Sequence, residues 1–404
     1  MVPQSSVSDS DRELLERYMP VLVIFPHADP SAKKKLNHPS ALVSPWTRWG
    51  DYHPCEAQFL LDRMTWGAVE KKRGVDVVGL LTLPSRRIKR LLWKAREVTG
   101  LEAIRARAKA AGADGTKDWE LDISMIPSQT DWLAWEKYYS MISGGAIPYR
   151  AAVYGRVAAT SSGKALQYWY LYAYNDFFVF NNHEADWEMV TIVLGRDGTP
   201  EQVGYSQHLS GSSQEWSKVK KTADGHPLVY VARGSHAGYF SHNPGGHFPL
   251  ILNSGPERPS IDPLSDIIAK RLYEVLKWLR ERPWLTQFRD FTPADPETDA
   301  GAVKVSRDFG VRLTPDKMKL HFLPPDQPPA DWDDSDWWWL NLKCRWGSCH
   351  VRVFGAEGVI GPWAGSGEDI RWSDPAAWAR SVPREAVRLV SAQGTAQPPA
   401  ASQK

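Results

Sequence analysis

Four residues in one short stretch could hold a metal ion: Asp176, His183, Asp186 and Glu188. Three supply carboxylate oxygens and one an imidazole nitrogen. That donor set suits one hard or borderline divalent cation, and it does not separate Mg2+, Ca2+, Mn2+ and Zn2+. The spacing says what must carry these groups. On a helix, Asp186 and Glu188 would point about 200° apart. On a strand they share one face. Only the strand lets both carboxylates reach one object. His183 then stands at the strand start, and Asp176 approaches across a loop from the end of the preceding strand. The competing reading is a surface loop with solvated acids. Apolar flanks argue against it, because packed neighbours would press unpaired acids together at a cost. His183-Glu184 does not open the His-Glu-x-x-His pattern of helical zinc proteases, since Trp187 takes the fourth position on.

Two antiparallel strands are therefore expected to position the site. Residues 168–176 and 183–194 are both dense in aromatic and β-branched side chains, which fit a pleated, packed surface. Asn181-Asn182 precedes the second run and Gly195-Arg196-Asp197-Gly198 follows it, both turn-forming. Two further histidines, His208 and His236, are each expected to end a strand beside the acids. They are candidates for outer metal ligands, ligand contacts or proton carriers. Glu56 is read chiefly as a paired structural acid.

The stretch from Tyr168 to Glu188 resembles the vacuolar protein sorting-associated protein 62 family. More distantly it is similar to the necrosis- and ethylene-inducing-like toxins, which carry Gly-His-Arg-His-Asp-Trp-Glu. Aligned on Asp-Trp-Glu, the toxins' metal-binding His, Asp and Glu fall on His183, Asp186 and Glu188. Their upstream Asp falls near Asp176, one residue out of register, with Asn175 beside it. Their second His falls on Ala185, a departure that bears on toxin-like activity more than on metal binding. The sorting-family resemblance extends to Tyr18-x-Pro20-Val21-Leu22, to Pro54-x-Glu56-x-x-Phe59-Leu60 and to Ala232-Arg233-Gly234-Ser235-His236-Ala237-x-Tyr239. It continues through Trp337 to Gly347, Gly361-Pro362 and the stretch between Trp372 and Trp378. The resemblance implies a sandwich with a metal at one end of its sheets and relatives that act as binders.

Many short strands with turn signals predict a mainly β chain: a β-sandwich with two helical insertions, α+β overall. The expected layout gives sandwich strands in residues 1–64 and a basic helical insertion in 65–144. The sandwich core with the metal motif follows in 145–255, a helical insertion in 256–330, closing strands in 331–388 and a disordered tail in 389–404. In the first insertion Ser85 caps a helix rich in Arg86, Arg87, Lys89 and Arg90, and a second helix runs over 101–111 to stop at Gly112. Such a basic face is chiefly the solvated side of a packed helix, with a peripheral contact with an anionic membrane or a nucleic acid as the alternatives. In the second insertion a helix is expected over 263–282, and a last strand over 337–347. Cys344, Cys349 and His350 supply too few ligands for a zinc site.

Composition narrows the classes. Among 404 residues, twenty tryptophans are far more than binding needs, so most must be core. A net charge of +2 implies no global electrostatic partner and speaks against nucleic acid. Three cysteines are too few and odd in number for a disulfide scaffold and fit a reducing compartment. No secretory signal pattern opens the sequence, and no apolar run nears the ~18 residues of a membrane span, so a cytoplasmic protein is expected. Three function classes follow. One is a cation-containing module that binds a sugar or lipid head group. The second is a metal-dependent hydrolase with His208 or His236 moving the proton. The third is a trafficking or scaffold protein in which the metal only ties loops.

Overall fold

The computed structural model describes residues 7–25, 53–58, 61, 66–70, 98–99, 101–116, 119–123, 151–161, 163–175, 183–207, 210–242, 292–301, 309–324, 337–346, 361–362 and 370–384. In chain order the strands begin with β1 (Val21–Ile24), β2 (Trp66–Glu70), β3 (Val98–Thr99), β4 (Trp119–Ile123), β5 (Ala151–Thr160), β6 (Gly163–Asn175) and β7 (His183–Leu194). They continue with β8 (Pro200–Gln207), β9 (Ser210–Glu215), β10 (Leu228–Val231), β11 (Gly238–Tyr239), β12 (Val311–Leu313), β13 (Met318–Phe322) and β14 (Arg345–Trp346).

The long hairpin β6–β7 anchors a six-stranded sheet of order β13-β5-β6-β7-β8-β9. A four-stranded sheet, β11-β10-β1-β12, packs on it face to face. Tyr205 Oη donates to Leu228 O at 3.0 Å, Gln207 Nε2 donates to Gly238 O at 2.7 Å, and the Tyr205 ring stacks on Phe240 at 3.9 Å. The mainly β sandwich expected from the sequence is therefore present. β1 lies parallel to β10, and all four of its residues are buried. Val21 and Val23 pack in one cluster while Leu22 and Ile24 enter the main core, which is why this strand reads as an unbroken apolar run.

Register decides which side chains look into the sandwich. Tyr172 pairs with Asp186, Tyr170 with Glu188, Tyr168 with Val190, and Val190 with Tyr205. Directly paired residues share a face. Since Tyr205 reaches the opposing sheet, this whole set faces inward. The alternate set, including Gln167, Trp169 and Trp187, faces outward and is also covered. Gln167 Nε2 donates to Arg371 O at 2.6 Å, in the helix Ile370–Ser373. The following helix, Pro375–Ser381, inserts Trp378 between two glycines of neighbouring strands. A Cβ on Gly204 would lie 2.8 Å from Trp378 Cζ3, and one on Gly211 2.8 Å from Cζ2. Gly204→Val is therefore expected to destabilise the fold by about 1–3 kcal/mol through overpacking. Thermal unfolding checks this, and an unchanged midpoint would contradict the slot.

Three expectations need correction. Region 256–330, expected as a helical insertion, supplies β12 and β13, which pair with β1 and β5 in the two sandwich sheets. Residues 337–347 are not a continuous strand. Trp338–Asn341 is a 3-10 turn, and among the described residues of this stretch only the two of β14 pair, parallel to β4. Trp337, Trp338 and Trp339 are consecutive; the latter two are buried, and Trp337 and Trp339 both pack on Tyr154. Region 65–144 also holds strands, because β2, β3 and β4 join β14 in a third sheet of order β14-β4-β2-β3. Its helix, Leu101–Gly115, loses helical geometry at Gly112, where φ is 72°, the position at which the sequence places the stop. Arg105 of this helix lies over the Trp338 ring at 5.4 Å, and Lys109 is exposed. Arg86, Arg87, Lys89 and Arg90, the helix expected over 263–282, Cys349 and His350 lie outside the described residues. Among the described residues no helix is long and apolar enough to cross a membrane.

Candidate metal centre

β7 carries Asp186 and Glu188 on the inward face, about 7 Å apart along the strand. Both are buried deeply, at 4% and 6% exposure. The residue before them, Ala185, has φ 49°, a left-handed conformation that costs a non-glycine residue about 1–3 kcal/mol. Local strain is thus stored beside the two acids. His183 opens β7 and pairs with Asn175 in the ladder. The His183 side chain, Asp176 and His208 lie outside the described residues. Asn175 itself is buried, and its Oδ1 has no hydrogen-bond partner among the described residues.

His236 reaches the acids from the opposing sheet. The sequence places it at a strand end, but β10 stops at Val231 and the chain turns back. Ala232 N donates to Ala237 O at 2.9 Å, and His236 N donates to Ala232 O at 3.1 Å. Gly234 (φ 76°) and His236 (φ 56°) both adopt the left-handed conformation that so tight a turn demands. The turn lays the imidazole flat on Tyr172, with centroids 4.0 Å apart and planes 3° from parallel. His236 Nδ1 then lies 3.0 Å from Asp186 Oδ2. A carboxylate can only accept, so Nδ1 carries the proton in this contact.

Glu188 is held differently. The β7–β8 ladder ends at the Val190–Tyr205 pair. Past it, Ser206 Oγ accepts the Met189 N–H at 2.6 Å and donates to Glu188 Oε2. Sequence reasoning overlooked Ser206. The signal was a polar pair, Ser206-Gln207, closing the apolar run of β8 from Val203 to Tyr205. Gln207 Nε2 donates to Ser212 Oγ at 2.9 Å and to Gly238 O, while its Oε1 is buried with no partner among the described residues. On β6, paired with Glu188, Tyr170 has its Oη buried with no partner among the described residues. Burial holds the Tyr170 phenol well above its usual range. Burial, then Tyr170, Glu188 and Asp186, do the same to Tyr172. Both phenols stay neutral beside the acids. Among the described residues no three His, Cys, Asp or Glu side chains gather as a metal group.

Glu56 stands apart from this set. Its Oε1 accepts from Lys319 Nζ at 2.8 Å and from His321 Nε2 at 2.9 Å. Burial pushes its pKa up, but the hydrogen bonds from Lys319 and His321 outweigh this and hold it below the ordinary 4.5. Because the folded-state value is depressed, the contact adds stability above the unfolded-state pKa and loses it as pH falls through the folded-state value. Glu56→Gln is expected to flatten the acid side of the stability profile by less than about 1 kcal/mol, since the group is partly exposed. Equal acid-side slopes for wild type and variant in denaturant titrations would contradict this.

No family model and no curated protein matches this chain. The resemblance to the sorting-associated family rests on sequence motifs alone. Among solved structures, necrosis and ethylene inducing protein 2 from the causal agent of cocoa's Witches Broom disease is 24% identical, with a TM-score of 0.21. Non-toxic HaNLP3 is 19% identical with a TM-score of 0.21, and NLPPya in complex with glucosamine 17% identical with a TM-score of 0.20. The likeness is local: it covers 22–23% of this chain and 45–46% of each of those neighbours.

Proposed function

We propose that this chain is a binding protein that holds one divalent cation through Asp176, His183, Asp186 and Glu188 and uses it to take a sugar or lipid head group. The observation that carries the reading is the placement of Asp186 and Glu188. Two carboxylates on one face, each more than nine-tenths buried, repel one another where water cannot screen them. A divalent cation between the sheets offsets that repulsion. The donor chemistry fits it. Carboxylates suit Mg2+, Ca2+ or Mn2+, and an imidazole extends the range to Zn2+. The buried oxygens Asn175 Oδ1, Gln207 Oε1 and Tyr170 Oη have no hydrogen-bond partner among the described residues and could bond the ion's waters or a ligand hydroxyl. A bound cation supplies positive charge to hydroxyl or phosphate oxygens, which is what a sugar or lipid head group presents.

A hydrolase is the alternative. His236 supports the binding reading over it. Its ring is stacked on Tyr172 and only 2% of it is exposed, so it has little access to the water or substrate with which a proton carrier must exchange. Metal analysis of purified protein, followed by glycan and lipid-vesicle binding with and without EDTA, tests the proposal. One bound cation per chain and ligand binding abolished by EDTA are expected. Ligand binding indifferent to EDTA would overturn it, and metal-dependent turnover of an ester, glycoside or phosphodiester would move the assignment to the hydrolase.

A further inference from the structure

The end of β8 does more than terminate a strand. After the Val190–Tyr205 pair β8 leaves β7, so the Met189 N–H has no ladder partner. Ser206 supplies one. Its oxygen accepts that N–H at 2.6 Å, so its single proton is directed to Glu188 Oε2. A backbone amide thus orients the hydroxyl, and the hydroxyl fixes the rotation of the carboxylate. Gln207 acts on the other acid. Its Nε2 protons go to Ser212 Oγ on β9 and Gly238 O on β11. Gly238 lies two residues beyond His236, at the end of the turn closed by the Ala232–Ala237 hydrogen bonds. β11 is seated closely there, since a Cβ on Gly238 would lie 3.2 Å from Tyr205 Cβ. Fixing Gly238 therefore fixes His236, and His236 Nδ1 fixes Asp186 Oδ2.

We infer that Ser206 and Gln207 are positioning residues that set both carboxylates for the cation, Glu188 directly and Asp186 through the Gly238–His236 turn. The inference rests on the cation reading above. Both side chains are almost fully buried, at 1% and 0% exposure, so neither can serve as a surface contact. Residues that orient metal ligands typically change affinity 10- to 100-fold when removed.

The test uses the whole chain and Mn2+ alone. Wild type, Ser206→Ala, Ser206→Thr and Gln207→Leu are compared by titration calorimetry, by thermal unfolding in EDTA, and by hydrogen exchange at the Met189 amide. Ser206→Ala and Gln207→Leu should each weaken Mn2+ binding about 10- to 100-fold while still unfolding cooperatively. Ser206→Thr, which keeps the hydroxyl, should recover most of the loss. Wild-type Mn2+ affinity in Ser206→Ala, with faster exchange at Met189, would reduce Ser206 to a backbone cap and overturn the inference while leaving the cation reading standing. A wild-type protein that takes up no Mn2+, Mg2+, Ca2+ or Zn2+ would remove the cation reading and this inference with it.

Discussion

Trp187→Ala is expected to destabilise the protein by about 3–5 kcal/mol, the cost of emptying a fully packed tryptophan site. Trp187 stands between Asp186 and Glu188 but faces the other way. It is 3% exposed and stacks on Trp339 at 5.6 Å, with Trp346 edge-on at 5.6 Å and Tyr154 at 5.7 Å. The ring clamps the strand from outside the sandwich while the acids work inside it. Trp187→Phe keeps an aromatic ring in place and should cost less. Guanidinium unfolding measures both, and a loss under about 1 kcal/mol for the alanine variant would contradict the clamp. Cation affinity should fall in the alanine variant as well, because the anchor of Asp186 and Glu188 is gone.

Asp186→Asn should lower cation affinity by 100-fold or more, since a charged ligand is worth more than the partner that orients it. The same change should have the opposite sign in EDTA. Without a cation, removing one of two neighbouring buried charges relieves repulsion, and an amide oxygen still accepts from His236 Nδ1. The cation-free variant should therefore unfold at or above the wild-type midpoint. Calorimetry and melting in EDTA read the two effects separately. Unchanged affinity in the variant would remove Asp186 from the ligand set.

The hairpin was legible because its information is local. Period-two placement of Asp186 and Glu188, tyrosines at alternate positions and turn residues on both sides define strands β6 and β7 without any knowledge of the rest of the chain. The break at Gly112 was legible for the same reason, although helical structure resumes beyond it to Gly115. What escaped depends on distant partners. Ser206 matters only because β8 separates from β7 after Tyr205, and no residue type announces where a ladder ends. His236 was placed beside the acids at a strand end, yet it arrives on a turn made by Gly234 and its own left-handed backbone. The tryptophans at 337–339 imitate a strand by composition. Tertiary packing around Tyr154 and Trp187 instead winds them into a 3-10 turn. β2, β3 and β4 are short and separated by long intervening stretches, and β4 also draws a partner, β14, from the far end of the chain, which left a helical reading of that region unopposed.

The most direct measurement is anomalous X-ray scattering from crystals of the full chain soaked in Mn2+. The account predicts one strong peak per chain, within coordination distance of Asp186 and Glu188 and completed by His183 and Asp176. No peak between these carboxylates, or a Mn2+ ion held only by other residues, would contradict it.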